Sequence, residues 1–419
     1  MEKKNTILYT LVLLFITFCV QFTDLKIGVV KVSELMLLGL APLVFLGKLN
    51  KYVVYLLIFF TLTALISLWT TSKLDFIYLQ PSLLKRPYWI TLGRFLEIVS
   101  CLVLCNLAIL FFRHLKQKQK FDFFFEKFID LNIIITVVFA IIYLAVALNL
   151  IPMDNTRLVY GWDTRLRGYF VEGGPYGLML SFVFIAITLV KKTQKRIVYQ
   201  IMLFMVIAFM AKSKAGILCC LVWIVIENFS YLKAKLKPLL LPILVLIGAG
   251  LIYLFINISS MYVKELDRVQ LAVKERPKDP NLVMGRISGL FIFPKMVQEK
   301  PVFGIGTGNY PLLRNNKEYR GFFPLPPKPI RNLDAHGFGG IVDILVDNGL
   351  VGLLGFFSIM GVVFIKVRGN KGSPELLIGF IVLFLFGVQI HFMYPWVLLA
   401  LVLANTHRDE ASSRSEINS

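Results

Sequence analysis

A histidine followed by two aspartates is the pattern in this sequence that most suggests catalysis. His336 precedes Asp343 by seven residues and Asp347 by eleven. In a helix that begins near His336, these spacings place the three side chains within about 20° of one face. A carboxylate near an imidazole stabilises its protonated form, so His336 is a candidate general base supported by the aspartates. The alternative is that the aspartates only solvate a cavity-facing helix, with His336 at its end.

Basic residues gather at two further places where they could bind an anion. They are Arg157, Arg165 and Arg167, and then Lys212 and Lys214. A guanidinium group is a planar fork that matches phosphate oxygens, which a lysine ammonium does not. The three arginines directly precede the glycine- and proline-containing run 168–175, which favours an interrupted helix start. Anchoring of helix ends to lipid headgroups is the alternative, and it suits Lys212 better than the arginines.

A glycine-rich segment and the cysteines contribute less. The segment 301–309 alternates glycines in a way that could let backbone N–H groups converge on an anion, but its spacing matches neither common nucleotide-binding motif. We expect a plain loop rather than an anion nest. The five cysteines lie inside apolar runs with no partner at metal-ligand spacing, so they are predicted to be buried apolar side chains. No metal site and no cofactor is predicted.

The elements that position these residues are predicted to be membrane-spanning helices. The 419 residues are 57% apolar and 17% charged, whereas soluble domains are about 45–50% apolar and about 25% charged. A helix needs about 20 apolar residues to cross a bilayer. The sequence therefore predicts an all-α polytopic membrane protein with about 12 transmembrane helices, or 11 if the last pair is one broken hairpin. The predicted spans are 6–22, 30–47, 52–70, 90–112, 128–150, 170–190, 197–211, 215–232, 238–258, 338–365, 375–391 and 393–406.

The positive charge, a net +20, predicts the orientation of these helices. With the N-terminus in the cytoplasm, 19 of the 45 lysines and arginines fall in short inner loops, as the positive-inside rule requires. Another 24 fall on the outer side. Because membrane orientation does not explain those 24, they indicate an anionic ligand or lipid headgroups.

The chain has one long hydrophilic segment, predicted to be a large periplasmic loop at 259–335. Apolar residues at helical spacing from Tyr262 to Val273 predict an amphipathic helix on the outer face of the membrane. A second helix is predicted from Arg286 to Val297, and a stiff proline-rich stretch leads to His336. The predicted organisation is 1–258 with about nine spans, the loop 259–335, C-terminal spans at 336–406 and a polar tail at 407–419.

Together these residues resemble the bacterial O-antigen polymerase and O-antigen ligase superfamily. The resemblance covers about 165–365. It is carried by Arg-Gly-Tyr-Phe at 167–170, by Ser-Lys-Ala-Gly at 213–216, by Gly-Arg at 285–286 with the glycine-rich segment 301–310, and by Asp-Ala-His at 334–336 with 347–353. Gly337 stands where ligases usually have Asn, and Lys214 replaces an Arg. These departures favour a polymerase over a ligase.

The resemblance implies a multi-span glycosyltransferase of the bacterial cytoplasmic (inner) membrane with its active site facing the periplasm. The donor would be an undecaprenyl-pyrophosphate-linked glycan, and the acceptor a second glycan or, for a ligase, lipid A-core. Arg167 and Arg286 would bind the pyrophosphate with Arg165 and Lys214 in support, and His336 would deprotonate the acceptor, with Asp343 or Asp347 orienting it. Transfer would be metal-independent and inverting.

Other function classes are less well supported by the sequence. A transporter or flippase usually shows internal repeats. No repeat is evident in this sequence, and the long loop has no counterpart in the N-terminal half. Membrane lipids and a chain-length regulator protein are the expected partners besides the donor and acceptor. Nucleic acid is not expected, since the basic residues follow the membrane topology.

Overall fold

A computed structural model describes residues 2–28, 30–74, 86–160, 164–229, 268–277, 286–326, 338–370 and 372–405. These residues are mostly helical, as predicted. The helices are α1 (Glu2–Gln21), α2 (Val32–Leu46), α3 (Lys51–Thr71), α4 (Pro87–Gln117), α5 (Phe121–Ala147), α6 (Gly173–Ala186), α7 (Thr193–Met205), α8 (Lys214–Glu227), α9 (Arg286–Glu299), α10 (Tyr310–Leu313), α11 (Lys317–Arg320), α12 (Gly340–Val367), α13 (Ser373–Leu385) and α14 (Met393–Ala404).

In the described part of the chain, four helices are long and apolar enough to cross a membrane, namely α3, α4, α5 and α12. Five further helices are apolar but shorter, and they are α1, α2, α6, α13 and α14. Helices occupy every predicted span that falls in the described residues, because long apolar runs satisfy their backbone groups internally. The predicted span 238–258 lies outside the described residues.

Two short antiparallel hairpins interrupt the helices, which the all-α prediction did not include. Strand β1 (Lys26–Ile27) pairs with β2 (Val30–Lys31) between α1 and α2. Strand β3 (Val159–Tyr160) pairs with β4 (Arg165–Leu166) between α5 and α6. Two-residue strands are too short to show an alternating pattern, which is why the sequence did not reveal them.

The chain divides into two compact units, and the first comprises 1–59, 96–224 and 356–419. Its centre is α14, all twelve of whose residues are buried. A helix that is apolar on every side has to be surrounded by others, and α14 packs against α1, α6 and α13. All five cysteines are buried and free in this unit, as predicted.

The second unit comprises 60–95 and 225–355 and includes the described part of the predicted outer loop. Its main apolar cluster joins α9 to the glycine-rich segment, with Phe293, Met296, Ile305 and Tyr310 buried together. Residues 268–275 are helical and overlap the predicted amphipathic helix. Val269 and Val273 from this helix pack against Phe323 of the same loop, whereas Tyr262 lies outside the described residues.

Candidate functional site

The predicted span at 338–365 is a helix that is broken at Gly349, and the glycine-rich segment 301–309 fills the break. Gly349 has φ 64° and ψ −164°, which no helix accommodates. The N–H groups of Leu350 and Val351 would donate to the carbonyls of Val346 and Asp347 in an unbroken helix. They donate instead to the carbonyls of Pro301 (2.9 Å) and Val302 (3.1 Å).

The carbonyls released by this break are also used. The Val346 carbonyl accepts the N–H of Ile305 (3.0 Å), and the Asp347 carbonyl accepts the N–H of Gly306 (2.8 Å). An unpaired buried backbone group costs about 1–3 kcal/mol, so four such groups would destabilise the break severely. The glycine-rich segment therefore replaces both missing helical hydrogen bonds, on both sides of the break.

Glycine is required on both sides of this junction. A β-carbon on Gly349 would lie 2.3 Å from the Val302 carbonyl oxygen, and one on Gly304 would lie 2.5 Å from that of Asp347. Real β-carbons do not approach other atoms so closely. Gly304 also has φ +68°, which L side chains rarely adopt.

The glycine-rich segment is not an anion nest. Its six N–H groups from 304 to 309 all donate to protein acceptors: the Lys300, Val346, Asp347 and Gly306 carbonyls, the Ser67 hydroxyl and the Asp347 carboxylate. As expected, the segment is a loop and not an anion nest. Several of its N–H groups donate to Val346 and Asp347 of α12.

Asp343 and Asp347 both lie in the N-terminal part of α12 and contact backbone N–H groups. The Asp343 carboxylate accepts the N–H of Gly339 (2.9 Å), and the Asp347 carboxylate accepts that of Gly308 (3.5 Å). Arg94 of α4 interacts electrostatically with both carboxylates. The two acids therefore share one positive neighbour, and backbone N–H groups orient them.

The prediction that one helix runs from near His336 through both aspartates is wrong. Helix α12 begins at Gly340, and Gly339 and Gly340 have φ angles of 84° and 59°. Residues in the left-handed region do not continue a right-handed helix, so a common helical face does not extend back to His336. His336 itself lies outside the described residues.

Helix α9, which begins at Arg286, packs on the residue that follows the glycine-rich segment and on the residues that precede α12. Phe293 of α9 stacks on Tyr310 with ring centroids 4.8 Å apart and contacts Phe338 at 4.9 Å. A β-carbon on Gly289 would lie 3.1 Å from the Phe338 ring. Burial raises the pKa of Tyr310 to about 12, so its phenol stays protonated at neutral pH. The helix continues through Pro294 to Glu299.

In the first unit, β3 and β4 present the predicted arginines in a segment that we call the arginine hairpin (157–160 and 164–172). Arg167 is half-buried, and its guanidinium donates to the carbonyls of Arg157 (2.7 Å) and Val171 (3.3 Å). It also lies 5.5 Å from the centre of the Tyr160 ring. These contacts fix the direction of Arg167.

Three glycines join the arginine hairpin to the turn that carries Lys214. A β-carbon on Gly173 would lie 2.5 Å from the Ala211 carbonyl oxygen and 3.3 Å from the Arg165 β-carbon. A β-carbon on Gly177 would lie 2.2 Å from the Ser213 β-carbon, and one on Gly216 would lie 2.9 Å from the Gly177 carbonyl oxygen. The Ser213 hydroxyl donates to the Gly174 carbonyl (3.0 Å) and caps α8 by accepting the N–H of Gly216 (3.2 Å). Arg165, Arg167 and Lys214 are thereby carried by elements in direct contact, with Lys214 exposed.

A buried ion cluster lies against the arginine hairpin. The Lys31 ammonium contacts the carboxylates of Glu34 (2.7 Å), Glu97 (3.2 Å) and Asp24 (3.9 Å). The backbone N–H of Asp24 donates to the Tyr169 carbonyl of the hairpin (3.1 Å). Burying unpaired charges would be costly, so this cluster has a structural role in supporting the hairpin.

Two sets of residues at this site were given no role from the sequence. Arg94 was counted with the outer charges but given no role, although an arginine inside a long apolar run is itself a signal of function. Thr307 and Asn309 were also overlooked. The Thr307 hydroxyl contacts the Asn348 amide oxygen (2.9 Å), and the Asn309 amide donates to the Thr71 hydroxyl (2.7 Å). Only the fold brings these polar groups together.

Comparison with known proteins supports the predicted resemblance. The family described as O-antigen ligase matches residues 197–357. No curated protein matches the chain. The matched residues include α8, α9, the glycine-rich segment and the break in α12, and therefore Lys214, Arg286, His336, Asp343 and Asp347. Residues 197–357 thus match the O-antigen ligase family, and the predicted resemblance to the O-antigen polymerase and ligase superfamily is confirmed.

Proposed function

We propose that this protein polymerises undecaprenyl-pyrophosphate-linked oligosaccharide repeat units into O-antigen or a related surface polysaccharide. The observation that carries the proposal is the match of the O-antigen ligase family to residues 197–357. That match includes five of the seven residues predicted to bind substrate or take part in catalysis. The other two, Arg165 and Arg167, lie in the hairpin that Gly173 joins to the turn before Lys214.

The leaving group of the proposed donor is undecaprenyl pyrophosphate, which carries about two to three negative charges. Arg167 and Arg286 would bind these charges, with Arg165 and Lys214 in support, without a metal ion. Lys214 is exposed and Arg167 is only half-buried, which supports this assignment because a ligand can reach both side chains. The fixed direction of the Arg167 guanidinium reduces the entropy lost on binding.

In the proposed reaction, an acceptor sugar hydroxyl attacks the anomeric carbon of the donor. His336 takes the hydroxyl proton, the new glycosidic bond forms with inversion, and the bond to the pyrophosphate oxygen breaks. His336 stands two residues before Phe338 in the sequence. The Phe338 ring packs on Gly289, one helical turn from Arg286. This supports a common site for His336 and Arg286, with Asp343 or Asp347 as positioning residues.

The proposed setting is the cytoplasmic membrane, crossed about 12 times, with the N-terminus inside and the loop 259–335 in the periplasm. The four long apolar helices and the shorter ones support a membrane protein. The orientation follows from the 19 positive charges of the short inner loops. A chain-length regulator is a proposed partner.

A ligase that transfers lipid-linked polysaccharide to lipid A-core is the alternative, and the description of the matched family favours it. A polymerase and a ligase would use the same donor and the same chemistry, and they would differ only in the acceptor. We favour the polymerase because Lys214 and Gly337 depart from the ligase pattern.

Deletion of the gene, followed by complementation and gel display of surface polysaccharide, tests this proposal. Loss of a polymerase leaves one repeat unit on the core, whereas loss of a ligase leaves full-length chains on the lipid carrier. Arg286→Ala and His336→Ala should each abolish long chains while the protein still inserts, since each loss removes at least about 10²-fold in rate. Lys317→Ala, an exposed loop change, should restore normal chains. A normal ladder from His336→Ala would exclude His336 as the general base.

A further inference from the structure

An apolar groove runs between α5 and α7 in the first unit. Its cavity of about 420 Å³ is lined by two facing stripes of side chains at helical spacing. The stripes are Val137, Ala140, Ile141 and Leu144 on one side, and Met202, Met205, Val206, Phe209 and Met210 on the other. The volume falls in the range of small-molecule sites, which is about 300–1,000 Å³. The groove is therefore large enough for part of an extended apolar ligand.

Polar contacts lie beyond both ends of the two apolar stripes. At one end the Lys195 ammonium of α7 bridges the carboxylates of Glu126 (2.6 Å) and Asp130 (2.8 Å) on α5. At the other end the Tyr143 hydroxyl of α5 donates to the Thr164 carbonyl (3.1 Å), beside Arg165. Between these ends the two helices present only apolar side chains to the groove.

The lining of the groove is adaptable and accessible. Residues 206–210 form a π-helical turn, which widens the helix and is frequent at functional sites. Three of the nine lining residues are methionines, whose flexible side chains adjust to irregular apolar ligands. Ile141 and Phe209 are 60% and 65% exposed, so a chain can enter from the side.

One end of the groove leads directly to the cationic residues. Met210, which lines the groove, is two residues from Lys212 and four from Lys214. On the opposite wall, Tyr143 adjoins Leu144 and bonds to Thr164, the neighbour of Arg165. An apolar groove that ends among arginines and lysines is complementary to a lipid with an anionic head.

We propose that this groove binds the isoprenoid chain of the lipid-linked donor, with the pyrophosphate held by the cations at its end. This inference rests on the proposed function and adds a site for the lipid part of that substrate. Four cations stand on the hairpin and the turn at this end, namely Arg165, Arg167, Lys212 and Lys214. They favour a pyrophosphate lipid over a phospholipid, whose single phosphate would neutralise fewer of them. Bulk phospholipid in the groove is the competing outcome of the test.

The probe for the test is undecaprenyl pyrophosphate with a diazirine in the isoprene units next to the pyrophosphate. The full chain in lipid nanodiscs would be irradiated with the probe, and the labelled peptides mapped. We expect labels on 137–144 and 202–210. Ile141→Trp and Met205→Trp fill the groove at exposed positions and should each reduce labelling about tenfold by displacing isoprenoid contacts. Val138→Trp, on the exposed face of α5 outside the groove, should label like the unchanged chain.

Three results would overturn the groove site: labels on other helices, labelling that both tryptophan variants leave unchanged, and competition by phosphatidylglycerol equal to that by unlabelled undecaprenyl pyrophosphate. Glycan transfer by the same preparations separates this inference from the proposed function. A chain that transfers glycan but is labelled elsewhere contradicts only the groove. A chain that neither binds the probe nor transfers glycan contradicts both.

Discussion

The arginine hairpin and the broken helix α12 present charged groups in opposite ways. In the hairpin, Arg167 is half-buried and two backbone carbonyls hold its guanidinium in place. In α12, Asp343 and Asp347 are contacted by backbone N–H groups of Gly339 and Gly308. The first arrangement offers charge to a ligand, and the second fixes carboxylates in one position. Both depend on glycines that allow backbones to approach closely.

The largest expected effect comes from the broken helix. Gly349→Ala should abolish polymer formation and lower thermal stability, because its β-carbon would overlap the Val302 carbonyl and its φ of +64° is strained. Backbone strain alone accounts for about 1–3 kcal/mol. Thermal unfolding in detergent measures the loss. Gly361→Ala in the same helix, with no atom within 4 Å of its β-carbon, is the matched control and should be unaffected. Equal stability of the two variants would contradict the role given to the break.

A smaller effect is expected when Asp347 loses its charge without losing its shape. Asp347→Asn should lower transfer by about 10²-fold with little change in stability, if the carboxylate positions the general base. Asp343→Asn keeps an oxygen that can accept the Gly339 N–H and should be milder. Transfer rate and melting temperature are measured together. Loss of both in parallel would mean that Asp347 is only structural.

The smallest effect is expected in the arginine hairpin. Arg167→Lys keeps the charge but loses the planar fork, and should raise the KM for the donor about tenfold with kcat nearly unchanged. Arg157→Ala is the control, because Arg167 uses the backbone carbonyl of residue 157 and not its side chain. Steady-state kinetics over a range of donor concentrations measures this. A lysine variant with the KM of the unchanged enzyme would show that charge alone suffices.

The helices were predictable, whereas the break was not. Long apolar runs such as 52–70 and 90–112 determine helices locally, and α3 and α4 cover them. The break at Gly349 depends on hydrogen bonds from residues more than 40 positions earlier in the chain. Nothing within the apolar run signals such partners. The same holds for Arg94, whose relation to Asp343 and Asp347 exists only in the fold.

The predicted site is partly located by the structure. The family resemblance grouped Arg165, Arg167 and Lys214, and the close glycine contacts between the elements that carry them agree with that grouping. The face shared by His336 and the aspartates could not be predicted, because two glycines with positive φ separate His336 from α12. Helical spacing does not predict which side chains share a face when residues with positive φ lie between them.

The most direct test of the proposed function uses the purified chain and one substrate, an undecaprenyl-pyrophosphate-linked repeat unit. We predict lipid-linked products longer by whole repeat units, with one undecaprenyl pyrophosphate released for each new glycosidic bond. Mass spectrometry of glycan length and of the released lipid measures both. Unchanged glycan length with no released lipid would contradict the account.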